Sequence, residues 1–423
     1  MIRMAFETVA LRPASILLPD STVAPGTWAC VACDQYTSQP EYWEKAAALV
    51  GDAPSTLKLM LPECYLKDSA SLVPKIHATM ADCLRQGLLK PAVENGFILC
   101  ERTVTSGTRV GLVATVDLEE YDFAAGSLPL VRPTEQTIAS RLPARLTIRR
   151  GAPVELTHIM ILIDDPDRTV LEPLRGRKDT LRKLYDFDLM LNGGHLAGYA
   201  VESDADLQAV DSAMKALKDR LGEHPMLLAV GDGNHSLATA KAYWNEIRET
   251  LTEEERADHP ARFALCEIVN IHDEALLFEP IHRVLTGVDK AVLFSAWGEW
   301  AAAHGEILSA DGEGHRFIMI DENGEDAVTV RDPAGAIPCE TLQKFLDDYL
   351  AKHPEAEIDY IHGDDSLRAL AKAEGAVGFL LPEINKHSFF EDVKVLGVLP
   401  RKTFSMGEAD EKRFYMECKM LEK

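Results

Sequence analysis

Residues 225 to 244 read PMLLAVGDGNHSLATAKAYW, and they constrain the fold of this chain more than any other stretch. An apolar run from Met226 to Val230 has strand character and stops at Gly231-Asp232-Gly233-Asn234-His235-Ser236. The alanine-rich segment from Leu237 to Trp244 then has helical character, so the whole predicts strand, tight polar turn and helix start. Such a helix start leaves backbone N–H groups without partners and presents the positive end of the helix dipole, so it suits a phosphate or carboxylate. Gly231 and Gly233 let the backbone come close to a ligand. Between and after them stand a carboxylate (Asp232), an amide (Asn234), an imidazole (His235) and a hydroxyl (Ser236), a mixture suited to holding a phosphate or its magnesium ion and to moving a proton. Taken singly, Asp232 or Ser236 reads as an ordinary N-cap. All four together, directly after a buried strand, point to a site.

A chain of 423 residues is too long for one core, so two or three domains are expected. Hydrophobic content of 46% with 26% charged residues is that of a folded globular protein. The formal net charge of −24 argues against nucleic acid as a partner, because backbone binding needs clustered cations. Individual cations therefore carry more weight. Arg132, Arg141, Arg145, Arg149 and Arg150 make one local cluster; Arg175, Arg177, Lys178, Arg182 and Lys183 make a second that reads as a solvated helix face. The eight cysteines are scattered and no signal peptide is evident, which points to a reduced cytoplasm. No window approaches the ~20 apolar residues of a membrane helix, so no membrane partner is expected.

Along the chain, strands and helices alternate irregularly. Trp28 to Cys33 reads as a strand, and Asp34 to Trp43 opens a helix that runs to about Val50, with Pro40 in its first turn. Asp34, Tyr36, Thr37 and Ser38 leave that strand as Asp232 leaves its own, and face either the same ligand or solvent. Cys30 and Cys33, three apart on a strand, point to opposite faces and read as structural. Residues 97–102 and 109–118 predict a hairpin, hence a mixed sheet. Arg132-Pro133-Thr134-Glu135-Gln136-Thr137 precedes a predicted helix from Ile138 to Leu142. Leu156 to Ile163 predicts one strand, residues 168 to 186 a charged helix, Asp204 to Leu221 an amphipathic helix and Phe263 to Val269 a buried strand. From about residue 288 the texture becomes that of a small α+β domain ending in a helical tail from Asp410. The expected domains are 1–287, carrying the loop 231–236, and 288–423.

The loop resembles the Asp-Gly-His-His-Arg motif of the free serine kinase branch of the ParB/sulfiredoxin superfamily. Most of the chain resembles the bacterial DUF1015 family, through that loop, Arg132 to Thr137, Pro280-Ile281-His282-Arg283 and Leu399-Pro400-Arg401-Lys402-Thr403. The resemblance implies an α/β fold with a mixed sheet, flanking helices and a ParB/sulfiredoxin-like phosphate-binding core, plus the smaller α+β domain. It implies phosphoryl transfer between ATP or ADP and a small hydroxyl metabolite, serine and phosphoserine leading, with Mg2+. Glu135 is then the general base, and Asp232 binds the metal or orients His235. Gly233, Asn234 and Ser236 cradle phosphate, and Arg132 and Arg283 stabilise transferred charge. The loop departs from the motif at Asn234 and Ser236, so the motif's arginine is missing and another cation must replace it, with Arg283 and the pair Arg401-Lys402 as candidates. A nucleotide-binding regulatory protein without turnover is the second reading. A sulfiredoxin-like redox role, through Cys266, ranks third. A homodimer is left open.

Overall fold

The computed structural model describes residue 6 and residues 9–124, 126–138, 142–222 and 225–422. Two compact units form, one from Met1–Leu276 together with Ala409–Lys423 and the other from Leu277–Glu408. The first unit thus ends before residue 287, because the extended run after Leu276 pairs within the second sheet, and the chain then returns to the first unit.

Strands β1 (Leu11–Arg12), β2 (Ala14–Pro19) and β3 (Cys30–Val31) open the first unit with helices α1 (Pro25–Trp28), α2 (Pro40–Val50) and α3 (Ser69–Arg85). The Trp28 segment is therefore a helical turn before a short strand, with Trp28 buried and its indole N–H donating to Met416 O. The predicted hairpin forms as β4 (Leu89–Val104) and β5 (Gly107–Asp117), antiparallel from Ile98↔Val113 to Val104↔Gly107. Next come β6 (Val131–Arg132), α4 (Leu142–Arg149), β7 (Val154–Leu156) and β8 (Ile159–Ile163). Ile138 is not helical; the helix starts at Leu142, and residues 139–141 lie outside the described residues. The single strand expected over Leu156 to Ile163 is broken at Thr157-His158, where both the N–H and the hydroxyl of Thr157 donate to Glu417 O.

The region 168 to 186 is not one helix. It forms the short α5 (Glu172–Arg175) and then β9 (Arg182–Asp188), paired with β10 (His195–Val201). Alternation of Leu184, Asp186 and Asp188 with Tyr185 and Phe187 has the period of a strand, and the charges along it masked that signal. The amphipathic helix forms as α6 (Asp204–Asp219), capped by the Ser203 hydroxyl and burying Leu207, Val210, Met214 and Leu217. That spacing of three, four and three places all four on one face, each worth about 1.5–3 kcal/mol when fully buried. Strand β11 (Leu228–Asp232), helices α7 (Asn234–Arg248) and α8 (Glu253–Ala257), and strand β12 (Phe263–Asn270) complete this run.

Among the described residues these strands other than β3, joined by one strand of the returning tail, make a twelve-stranded mixed sheet. Its pairs β6–β11 and β8–β12 are parallel, whereas β8–β11, β5–β12 and β4–β5 are antiparallel. The second unit is α+β. It holds β13 (Phe278–Thr286), α9 (Lys290–Ala303), β14 (Ile307–Ser309), β15 (His315–Asp321), β16 (Gly324–Arg331), α10 (Pro338–Lys352), β17 (Glu357–His362), α11 (Asp364–Leu370), β18 (Ala376–Leu380), α12 (Phe389–Leu396) and β19 (Phe404–Met406). Its core centres on Trp297, which stacks on Phe345 with ring centroids 5.4 Å apart.

The returning tail is not helical. It forms β20 (Phe414–Tyr415), antiparallel to β3, and β21 (Cys418–Met420), which lies between β2 and β7. Room for it is made by glycine. A Cβ at Gly111 would collide with the Glu267 carboxylate, and one at Gly198 with the Tyr185 ring. Glu267 and Tyr185 in turn engage Arg413 and Glu417 of the tail. Among the described residues no helix is long and apolar enough to cross a membrane.

Candidate functional site

Strand β11 is buried from Leu228 to Val230 and half-exposed at Gly231 and Asp232, and α7 begins at Asn234. Gly233 makes the turn with a left-handed φ of +83°, and a Cβ there would stand 2.9 Å from His158 Cδ2 and 3.2 Å from Ile159 Cα. Glycine alone satisfies both the dihedral and the space. No side chain caps α7, and its amides turn inward only from Leu237, whose N–H reaches Gly233 O at 2.9 Å. The first-turn amides, by helix geometry, face the turn.

The loop and the Arg132 to Thr137 patch do come together. Asn234 Oδ1 accepts from Thr134 N–H at 3.0 Å, Asn234 Nδ2 donates to Thr134 Oγ1 at 3.2 Å, and Thr134 Oγ1 donates to Val230 O at 2.5 Å. His235 Nε2 accepts from Ile138 N–H at 3.4 Å. Glu135 follows the clasped Thr134 in sequence and is half-buried. Asn234 thus spends its amide side chain on holding the patch, and what it offers an anion is its backbone N–H. Ser236, in the first turn of α7, is half-buried and lines a cavity next to His158.

Two predicted cations are buried and engaged within their own units. Arg132 is buried in β6, where Nε donates to Pro129 O at 3.4 Å and a terminal nitrogen to Pro225 O at 3.0 Å. It staples the entry of β11 to β6. Arg283 belongs to the second unit, is 0% exposed, and donates to Gln343 Oε1 at 3.1 Å, Cys339 Sγ at 3.1 Å and Ile281 O. Burial corrects the expectation that either guanidinium is presented to a phosphate. Arg401, also in the second unit, donates to Tyr360 Oη at 2.9 Å and Asp347 Oδ1 at 2.7 Å.

The cation at the loop comes from the returning tail. Lys412 is buried, and its Nζ lies 3.4 Å from Asp232 Oδ2, whose other oxygen accepts from Gly233 N–H at 2.9 Å. Lys412 also acts on Asp34, at the end of β3, whose Oδ2 is 3.5 Å from His158 Nε2. His158 Nδ1 hydrogen-bonds the Tyr415 hydroxyl, which accepts from Cys33 N–H at 3.0 Å. Four chain segments therefore meet at Gly233: the end of β3, the break before β8, the loop itself, and the tail.

Electrostatics sort these groups. Burial alone would lower the His158 imidazole, yet the Asp34 carboxylate and Cys33 outweigh it and hold the imidazole well above the ordinary histidine range. Burial would raise Asp34, but His158, Gln35 and Lys412 overrule it and leave the carboxyl well below the usual range. Burial, then Cys33 and Asp34, push the Tyr415 hydroxyl well up. At neutral pH the set is an imidazolium, a carboxylate and a neutral phenol. An imidazolium donates from both nitrogens, so the Tyr415 oxygen accepts from His158 and from Cys33 N–H, and its hydroxyl also engages the Cys33 side chain.

The donor set around Asp232 does not fit a protein-held magnesium ion. Among the described residues no group of three or more His, Cys, Asp or Glu is placed to hold a metal. The Lys412 ammonium instead supplies the positive charge beside Asp232. Cys266, the residue of the redox reading, is buried in β12, and burial first of all holds its thiol far above the range of a reactive cysteine.

His158, Lys412 and Tyr415 were missed at the level of sequence. The break at Thr157-His158 inside an apolar run was the one local sign of His158. Lys412 and Tyr415 had none, because their place depends on the tail returning across the sheet.

Several solved structures are distantly similar to this chain. A free serine kinase variant in complex with AMP is 13% identical, over 74% of this chain and 92% of that one, with a TM-score of 0.40. A conserved hypothetical protein from Pyrococcus furiosus is 13% identical over 71% and 93%, with a TM-score of 0.37. SbnI with a C-terminal truncation, from Staphylococcus aureus, is 9% identical over 70% and 83%, with a TM-score of 0.36. No curated protein matches the chain. The sequence profile described as "Protein of unknown function (DUF1015)" matches residues 11–349, and the chain belongs to that family.

Proposed function

We propose that the protein transfers a phosphoryl group between a nucleotide, ATP or ADP, and a small metabolite that bears a hydroxyl. The observation that carries this reading is the meeting of Lys412 and His158 at the uncapped N-terminus of α7. Lys412 and His158 are matched by Asp232 and Asp34, so the unmatched positive end at this place is the uncapped first turn of α7, and a phosphoryl group beside those amides and Lys412 is what it would stabilise. The nucleotide enters through the loop's resemblance, and serine with phosphoserine is the first metabolite pair it names.

In the forward direction the metabolite oxygen bonds to the γ-phosphorus as the bond from phosphorus to the β-phosphate oxygen breaks. The hydroxyl proton passes to Glu135, which follows the clasped Thr134 in sequence. Amides of residues 233 to 236 and Lys412 hold the charge that is shared between donor and acceptor, and Asp232 orients Lys412. The same groups serve the reverse direction. No step is routed through a metal ion.

The test is calorimetric titration of ATP and ADP into the full chain and into Lys412→Ala, followed by phosphorus NMR of protein with ATP and serine or another hydroxyl metabolite. Binding that Lys412→Ala leaves unaltered removes the loop from the account. Binding without any new phosphate ester, across a panel of alcohols, favours the nucleotide-responsive regulatory reading instead.

A further inference from the structure

Beside the polar set lies a cavity of about 150 Å³ inside the first unit. One water needs ~10–15 Å³ measured this way, and an apolar cavity of this order holds a benzene-sized ring. Its polar end is Ser236, His158 and Tyr415, and its body is apolar, with Leu61, Leu66, Met80, Ile148, Leu156 and Leu265 among the lining side chains. Ser236 lies in the first turn of α7, so the polar end of the cavity and the anion-attracting turn are one place.

The charged side chains on the wall each have an ion-pair partner. Arg145 meets Glu63, and Arg149 lies 2.6 Å from Glu155. Arg149 keeps one buried N–H without a partner, but free serine has almost no apolar body to set against the rest of the wall, and its ammonium would be buried beside apolar side chains at a cost. An apolar body gains there, because each methylene removed from water raises affinity about fourfold.

We infer that the hydroxyl metabolite, or its phosphate ester, carries an apolar, ring-sized body that fills this cavity while its oxygen end faces Ser236, His158 and Tyr415. The inference rests on the phosphoryl-transfer reading and narrows it: the acceptor is an apolar alcohol and not serine. Tyr415 keeps the His158 ring in place at that end through its bond to Nδ1.

The test is calorimetry on the full chain with inorganic phosphate, phosphoserine, benzyl phosphate and AMP. Benzyl phosphate should bind at least about tenfold more tightly than phosphoserine and inorganic phosphate, an advantage that two buried methylene equivalents already supply. Ile148→Trp, at a half-buried position on the wall, should abolish that advantage and leave inorganic phosphate unaffected. Should Ile148→Trp lose inorganic phosphate as well, Leu66→Trp, from a different segment of the wall, takes its place with the same expected pattern. Phosphate binding with no preference for benzyl phosphate over phosphoserine overturns the cavity assignment and leaves the phosphoryl reading standing. Failure of every phosphate compound to bind overturns the reading beneath it. An advantage confined to AMP and abolished by Ile148→Trp gives the cavity to the nucleotide base, which overturns the apolar metabolite.

Discussion

Replacing Asn234 with alanine separates a residue that builds the loop from one that grips a ligand. Its Oδ1 accepts from Thr134 N–H at 3.0 Å and its Nδ2 donates to Thr134 Oγ1 at 3.2 Å. Thr134 is 0% exposed and Asn234 7%, so the substitution strands the Thr134 N–H where water does not reach it. An orphaned buried donor costs about 1–3 kcal/mol. Thr134 Oγ1 keeps its own bond to Val230 O, so losing the second contact adds only about 0.5–1.5 kcal/mol. Alanine is the better helix former by about 0.5 kcal/mol at most, which leaves a net loss of about 1–4 kcal/mol. The two units need not unfold together, so the assay is hydrogen exchange on peptides covering residues 131–138 and 228–248, combined with urea titration. A double-mutant cycle with Thr134→Val should return a coupling of about 0.5–1.5 kcal/mol. A loss below about 0.5 kcal/mol, with weaker phosphate binding at full stability, would refute the clasp and make Asn234 a direct ligand.

Asp34→Asn removes the charge that holds His158 up, so burial takes over and the imidazole falls below the ordinary histidine value, readable by NMR titration. With the sign worked out, the raised His158 contributes stability that is lost as pH rises through its folded value, and the depressed Asp34 contributes stability lost as pH falls through its own; wild type should exceed Asp34→Asn most between roughly pH 4 and 6.5. Lys412→Ala should weaken ADP binding about 10- to 100-fold and flatten its salt dependence, since one charge-assisted contact is worth about 1.5–3 kcal/mol; equal affinities would place the phosphate elsewhere. Gly233→Ala should cost at least about 1–2 kcal/mol from the left-handed dihedral and also shift the His158 ring resonances, because the new methyl meets Cδ2. Arg413→Met strips a buried partner from Glu267 and Glu417 and should cost about 3–5 kcal/mol in urea; a neutral result would mean that the tail is not seated as described.

The loop was legible because its signal is local. Apolar strand, paired glycines and an alanine-rich helix need only adjacent residues, and the amphipathic α6 and the 97–118 hairpin were readable for the same reason. The element types that went astray were those in which charge hid the period, as in β9, or in which the partner is distant, as in the tail. Arg132 and Arg283 were given functional roles by the resemblance, in a chain whose few cations each carry weight. Sequence cannot report that Pro129 and Pro225 carbonyls, or Gln343 and Cys339, already occupy their guanidinium groups. Lys412 and His158, which do stand at the loop, lie in segments with no motif of their own.

The cost of the buried charges in the first unit bears on why the tail sits where it does. Arg413 is 4% exposed and Glu417 and Glu267 are 0% exposed, and taking such groups out of water is seldom repaid in stability relative to apolar side chains of similar size. What an ion network can supply is register. Arg413 is 2.9 Å from Glu267, Glu417 accepts from the Tyr185 hydroxyl, and Arg102 lies 4.7 Å from the Phe414 ring centre. Between and beside these anchors stand Lys412 and Tyr415, facing Asp232 and His158. A slip of one residue would carry both away from the loop and also break every anchor, whereas a purely apolar seat would tolerate it more readily. The position of the loop's cation is thus set by Arg413 next to it, and an Arg413 variant that still folds should lose phosphate affinity through Lys412 without touching the ligand itself.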